Sequence, residues 1–159
     1  MNKSVLIAGL LAAIAGGAVL TAHAQHAGHD HGTVQADALK WAQPGAYAKG
    51  AQLAVIKGDP TKEGVYVVRL KVPAGFRIPA HTHPNDENVT VLSGTFNIGT
   101  GDKLDESKVV SVKAGGYSFV AKGMTHYAIF PEATEIQLHG MGPQGITYVN
   151  PTDDPRKSQ

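Results

Sequence analysis

Four side chains able to bind a metal stand out by type and spacing: His81, His83 and Glu87 in the stretch Gly75 to Gly94, and His126 further on. Imidazole nitrogens with one carboxylate suit a divalent transition metal, Fe, Mn, Ni, Cu, Co or Zn, and do not suit calcium, which takes about six to eight oxygens. Four protein ligands on an octahedral ion leave positions for water, dioxygen or a substrate oxygen. The chemistry this set supports is therefore metal-dependent turnover of a small molecule. The chain has no cysteine, which excludes thiolate ligation and thiol redox chemistry.

These residues need strands to hold them. Side chains alternate across a strand, so His81 and His83, two apart, share a face. Pro84-Asn85-Asp86 is turn sequence, which returns Glu87 beside His83 on a neighbouring antiparallel strand and turns Glu87, Val89 and Val91 inward. Gly123 precedes His126 and is expected to start a strand that carries His126, Ala128 and Phe130 into the same interior. The apolar wall of Val89, Val91, Ala128 and Phe130 would suit an aromatic or hydrophobic substrate. A plainer reading has the histidines hydrogen-bonding their neighbours in half-buried strands and Glu87 serving the turn. The agreement of spacing, framing glycines and the distant His126 favours the metal.

Further residues are candidates for support around the metal. Gln137 and His139 alternate on a late strand and either reach a metal-bound water or, if Ile136 and Leu138 face the core, point to solvent. Arg77 shares the odd-numbered face of His81 and would point inward, where it could meet an anionic substrate, but a salt bridge to a surface carboxylate is the favoured reading. Tyr66, Tyr117 and Tyr127 read as strand packing.

Ten short β-rich runs, from Leu53 to Val149, are bounded by Gly, Pro, Asn or Asp, and no long stretch has a helical period. That predicts an all-β sandwich or barrel. Ala36 to Trp41 reads as a short helical turn, with Trp41 covering one end of the core. The barrel domain is expected over residues 36–150, with a polar tail over 151–159.

Residues 1–24 have Lys3, an apolar run from Val5 to Leu20 and a closing Ala22-His23-Ala24, the layout of a cleaved secretory signal. The expected location is periplasmic or secreted, with no stable membrane anchor after cleavage. Taking these 24 residues from 159 leaves 135, enough for one domain. With Lys3 removed, 13 basic residues balance 13 acidic ones, a charge that does not suggest nucleic acid as a partner. Residues 25–35 read as a disordered tail in which His26, His29 and His31 form an auxiliary metal-trapping tract. A homodimer formed through the sheets is a further expectation.

The first motif, from Gly75 through His81, His83 and Glu87 to Gly94, resembles the first motif of the cupin superfamily in every spacing. Gly115 to Phe130, with Gly123 and His126, resembles the second, with Ala121 where that family usually has proline and Phe130 where it often has asparagine. The resemblance implies a double-stranded β-helix of jelly-roll type with a metal at the barrel mouth on His81, His83, Glu87 and His126. Cupins include dioxygenases, isomerases, decarboxylases and binding domains, so the resemblance does not choose a reaction. Dioxygenation is the first expectation, and a non-catalytic periplasmic metal-binding or small-ligand-binding protein is the rival.

Overall fold

The computed structural model describes residues 31–157. The expected signal segment, His26 and His29 lie outside the described residues. His31 is exposed.

All ten sequence runs form strands: β1 (Gln52–Lys57), β2 (Gly64–Val72), β3 (Phe76–Thr82), β4 (Glu87–Ser93), β5 (Thr95–Thr100), β6 (Val110–Lys113), β7 (Tyr117–Val120), β8 (His126–Phe130), β9 (Thr134–Gly142) and β10 (Thr147–Tyr148). They make two five-stranded sheets, ordered β1-β2-β9-β4-β7 and β10-β3-β8-β5-β6, with every pairing antiparallel. The expected jelly-roll class is the fold observed. The predicted helical turn shrinks to a single 3-10 turn at Ala36–Ala38, while Trp41 stays partly exposed with the Lys71 ammonium 4.0 Å from its ring centre.

The inward residues of both sheets form one core. Tyr66, Val68 and Leu70 on β2, Val89 and Val91 on β4, and Ile136 and Leu138 on β9 face Phe76 and Ile78 on β3, Phe96 on β5, and Ala128 and Phe130 on β8. Phe130 lies at its centre, with ring centres 6.2 Å from Phe76 and 5.6 Å from Phe96, distances typical of favourable aromatic pairs. Gly94 joins β4 to β5 at φ +76°, and a Cβ there would come within 2.6 Å of the Ala133 carbonyl oxygen. Both the left-handed turn and the close approach require glycine.

Strand β3 departs from simple alternation. Its register against β8 shifts between Ile78 and His81, so Phe76, Ile78 and Ala80 are buried, followed directly by buried His81. Pro79 supplies the cause, since it has no N–H to give a ladder and is tolerated at bulges. The phase change turns His81 and His83 inward and leaves Arg77 outward.

Candidate metal site

The site is assembled at one end of the two sheets. His81 is on the last part of β3, His83 just follows it, Glu87 opens β4 and His126 opens β8. His81 is the register partner of His126 across the β3–β8 pair. The turn before β8 is tied to the first motif, because the Gly123 N–H donates to the His83 carbonyl at 3.0 Å. All four residues are buried.

One ligating nitrogen from each of His81, His83 and His126 lies within 4.8 Å of the others. Their ring centres are 4.1 to 5.1 Å apart. Each Nδ1 lies against a backbone carbonyl: Pro79 at 2.7 Å for His81, Gly145 at 2.6 Å for His83 and Met124 at 3.0 Å for His126. A carbonyl only accepts, so Nδ1 carries the proton in each ring and Nε2 is left with its lone pair. Orienting bonds of this kind accompany metal-binding histidines.

Burial lowers the pKa of all three imidazoles. His81 falls to about 3, through burial first and then the neighbouring His126 and His83. The rings are thus neutral at neutral pH, each with an unprotonated Nε2 lone pair. The Glu87 carboxylate lies 3.4 Å from His83 Nε2 and 3.8 Å from His126 Nε2. With the rings neutral these contacts are not ion pairs, and burial pushes the Glu87 carboxyl up to about 7, offset in part by His126 and Gln144. His83 Nε2 is buried without a hydrogen-bond partner. Neutral lone pairs, a desolvated carboxylate and an orphaned nitrogen facing one another are the arrangement a bound cation would satisfy. The residues present fit a divalent transition metal, and the three histidines form a group that could hold one.

The other candidates lie elsewhere. Gln137 and His139 are on the outer face of the first sheet, because Ile136 and Leu138 take the inward positions of β9. Gln137 accepts from Arg69 Nε at 3.3 Å, and His139 lines a surface groove with Val65, Asn88 and Met141. Arg77 is exposed and paired with Glu106. The bulge at Pro79 is the reason that Arg77 does not share the inward face of His81, so the surface salt bridge is the reading of Arg77 that holds and its inward alternative is corrected; for Gln137 and His139 the solvent-facing alternative holds and support of the metal is corrected. Tyr117 donates to Asn88 and Tyr127 to the Asp105 carbonyl; Tyr66 packs in the core, as expected, with no partner for its hydroxyl.

A cavity of about 290 Å³ opens onto His83 and Glu87, walled by Tyr47, Leu53, Tyr66, Val68, Leu138, Gln144 and Ile146, with Arg156 at its edge. Gln144 Nε2 points to Glu87 Oε1 at a long 3.5 Å. Tyr47 is placed by the loop after Pro44, which Gln43 braces by donating to the carbonyls of Pro44, Tyr47 and Ala48; Tyr148 also donates to the Ala46 carbonyl at 2.8 Å. Tyr47 and Gln144 were not found from sequence, since both lie in loops where no period marks a face.

The family model of the ChrR cupin-like domain matches residues 29–144. Among solved structures, a proposed acetylacetone dioxygenase from Methylibium petroleiphilum is 22% identical with a TM-score of 0.60, covering 79% of this chain and 85% of its own. The polyketide cyclase RemF from Streptomyces resistomycificus is 17% identical with a TM-score of 0.64, covering 80% and 92%. Salicylate 1,2-dioxygenase from Pseudoaminobacter salicylatoxidans is 13% identical with a TM-score of 0.52, covering 66% and 30%. At these identities the likeness is one of fold. No curated protein sequence matches the chain.

Proposed function

The chain belongs to the ChrR cupin-like domain family, and from that premise we propose that it is an exported protein that holds one divalent transition metal on His81, His83, Glu87 and His126 and acts on a small molecule, with dioxygenation as the first reaction to test. The observation that carries this reading is the set of three Nδ1–H donors bonded to backbone carbonyls, which leaves Nε2 free in each ring beside a buried carboxylate. When bound, such a metal supplies Lewis acidity, and one-electron chemistry if it is redox-active.

The chain's own residues do the rest. Backbone carbonyls fix each ring's tautomer, Glu87 supplies negative charge, and Gln144 is the nearest polar neighbour of that carboxylate. Apolar walls at Leu53, Val68, Leu138 and Ile146 limit water beside the site. Access from the cavity to His83 and Glu87 favours a reactive or ligand-binding centre over a closed structural one.

A non-catalytic periplasmic metal-binding or small-ligand-binding protein is the second reading. It is favoured by the cavity's lining, whose charged side chains are Glu87 and Arg156, the latter engaged by Asp154 at 2.7 and 2.8 Å. In either case a homodimer would cover exposed Val65, Phe119 and Met141 on the outer face of the first sheet.

The test is elemental mass spectrometry on tag-free chain purified from the periplasm, with His26, His29 and His31 replaced by alanine so that the tail contributes nothing. About one equivalent of a first-row divalent metal is expected, and its loss in an added His126→Ala. Metal absent from both proteins overturns the reading. Oxygen uptake by the loaded protein against a panel of phenols and enols then separates enzyme from carrier.

A further inference from the structure

The imidazoles of the cluster are held by carbonyls of unequal reach. For His81 and His126 the acceptor is two residues earlier in the same segment, Pro79 and Met124, so strand and turn fix those rings locally. His83 instead bonds the Gly145 carbonyl at 2.6 Å, 62 residues further along the chain. Its Nε2 is buried without a hydrogen-bond partner. The orientation of this one ring, and the nitrogen that carries its proton, are therefore set by a distant loop.

That loop, residues 143–146, connects β9 to β10, and the direction of the Gly145 carbonyl depends on what holds the peptides on either side. Before it, the Gln144 N–H donates to the Pro60 carbonyl at 2.6 Å, and Asn85 Nδ2 donates to the Pro143 carbonyl at 2.9 Å. After it, Arg156 Nη2 donates to the Ile146 carbonyl at 3.0 Å. The same guanidinium is locked by Asp154, whose two carboxylate oxygens accept from Nε at 2.7 Å and from Nη2 at 2.8 Å, a paired geometry that lysine cannot reproduce. Asp154 is buried and Arg156 exposed. A single ion pair near the surface adds little stability by itself, so its reach into the loop is what gives it a use.

We propose that Arg156, fixed by Asp154, is a positioning residue for the metal site: it holds the loop so that the Gly145 carbonyl keeps the His83 proton on Nδ1 and leaves Nε2 free for the ion. The inference deepens the proposed function and rests on its reading of His83 as a ligand. Without the clamp the Gly145 carbonyl is held on one side only, the proton is free to move to Nε2, and an arriving cation must displace it. The effect is confined to His83, because Pro79 and Met124 hold the other two rings without help from the C-terminal segment.

The test has a metal-free arm and a metal arm, both on the full chain with His26, His29 and His31 replaced by alanine. In stripped protein, proton–nitrogen NMR of the imidazoles should show Nδ1–H in His81, His83 and His126. Arg156→Ala should speed exchange of the His83 proton with water about tenfold, the loss of about one hydrogen bond's restraint, while His81 and His126 keep theirs. Zinc titration against a competing chelator should then give an affinity about tenfold lower for Arg156→Ala. Arg77→Ala, which breaks another exposed arginine pair, with Glu106, should leave zinc affinity unchanged. An unaltered His83 signal in Arg156→Ala, equal changes in all three histidines, or equal weakening of zinc by Arg77→Ala overturns the inference. Selective loosening of His83 in a protein that takes up no zinc fails the metal reading and upholds the clamp on His83. Zinc bound equally well by wild type and Arg156→Ala fails the inference alone.

Discussion

The two sides of the histidine cluster differ sharply in how they are filled. On the barrel side, Leu70, Ile78, Val89, Phe96, Ala128 and Ile136 close around a void of about 20 Å³, room for about one water. On the other side is the 290 Å³ cavity, and only Tyr47, Glu87 and Leu138 border both spaces. Strand residues make the first, where the pleat forces side chains to interdigitate at crystal-like density. Loops contribute much of the second, around Pro44 to Tyr47, Pro60, Thr61 and Gln144 to Ile146, and loops on a rigid scaffold are where ligand space is commonly left. The wall expected from sequence to meet a substrate, Val89, Val91, Ala128 and Phe130, is therefore core, and the larger cavity is on the opposite side.

The largest expected effect tests that division. Phe130→Ala, at a fully buried position, should cost about 3–5 kcal/mol in denaturant unfolding. Leu53→Ala, on the half-buried cavity wall, should cost well under half of that, because it enlarges a space that already exists. Equal losses at the two positions would mean that the cavity side is packed as tightly as the barrel.

A second effect comes from the shared boundary, Glu87. In metal-free protein burial raises its carboxyl from 4.5 to about 7. The folded state then holds the proton more tightly than the unfolded chain does, so this group favours folding below about pH 4.5 and the advantage is lost as pH rises through about 7. The histidines act in the opposite sense. His81, lowered from 6.5 to about 3, supports the fold above about pH 6.5, and that support is lost as pH falls toward about 3. Glu87→Gln should remove the alkaline limb alone and stabilise the stripped protein at pH 8 by up to about 3 kcal/mol, from the size of the shift at about 1.4 kcal/mol per unit. Metal loading should reverse the sign, since a cation favours the carboxylate. Parallel stability–pH curves for stripped wild type and Glu87→Gln would place the carboxylate in water, outside the boundary.

What the chain disclosed by itself follows the same division. Every strand was legible, because Gly, Pro, Asn and Asp bound each apolar run and β pairing then had few alternatives. The four convergent residues were legible too, as a spacing of two at the end of β3 and just beyond it, and as the first residues of β4 and β8. The bulge was missed, although Pro79 was its signal, so strict alternation put Arg77 on the inward face and only the general preference of arginine for a surface salt bridge pointed outward. For Gln137 and His139 the deciding evidence was in their neighbours: Ile136 and Leu138 are apolar, and on a strand whose other face is solvated they take the core. Tyr47 and Gln144 were beyond reach for a different reason. Their place beside the cluster depends on a loop's path, which is set by the assembled barrel and leaves no periodic trace.

The smallest expected effect concerns the outer face of the first sheet. His139 is separated from the cluster by the sheet itself, in a groove with Val65, Asn88 and Met141, and its backbone carbonyl accepts from Asn88 Nδ2 at 3.1 Å whatever side chain it carries. His139→Ala should therefore shift stability by no more than about 0.5 kcal/mol and leave metal content unchanged, whereas His83→Ala, with its ring in the cluster, should abolish it. Elemental analysis of the two variants side by side decides the matter. Loss of metal in His139→Ala would show that the outer groove and the inner cluster are coupled across β9, and the separation of inner from outer face would then fail as an account of which histidines matter.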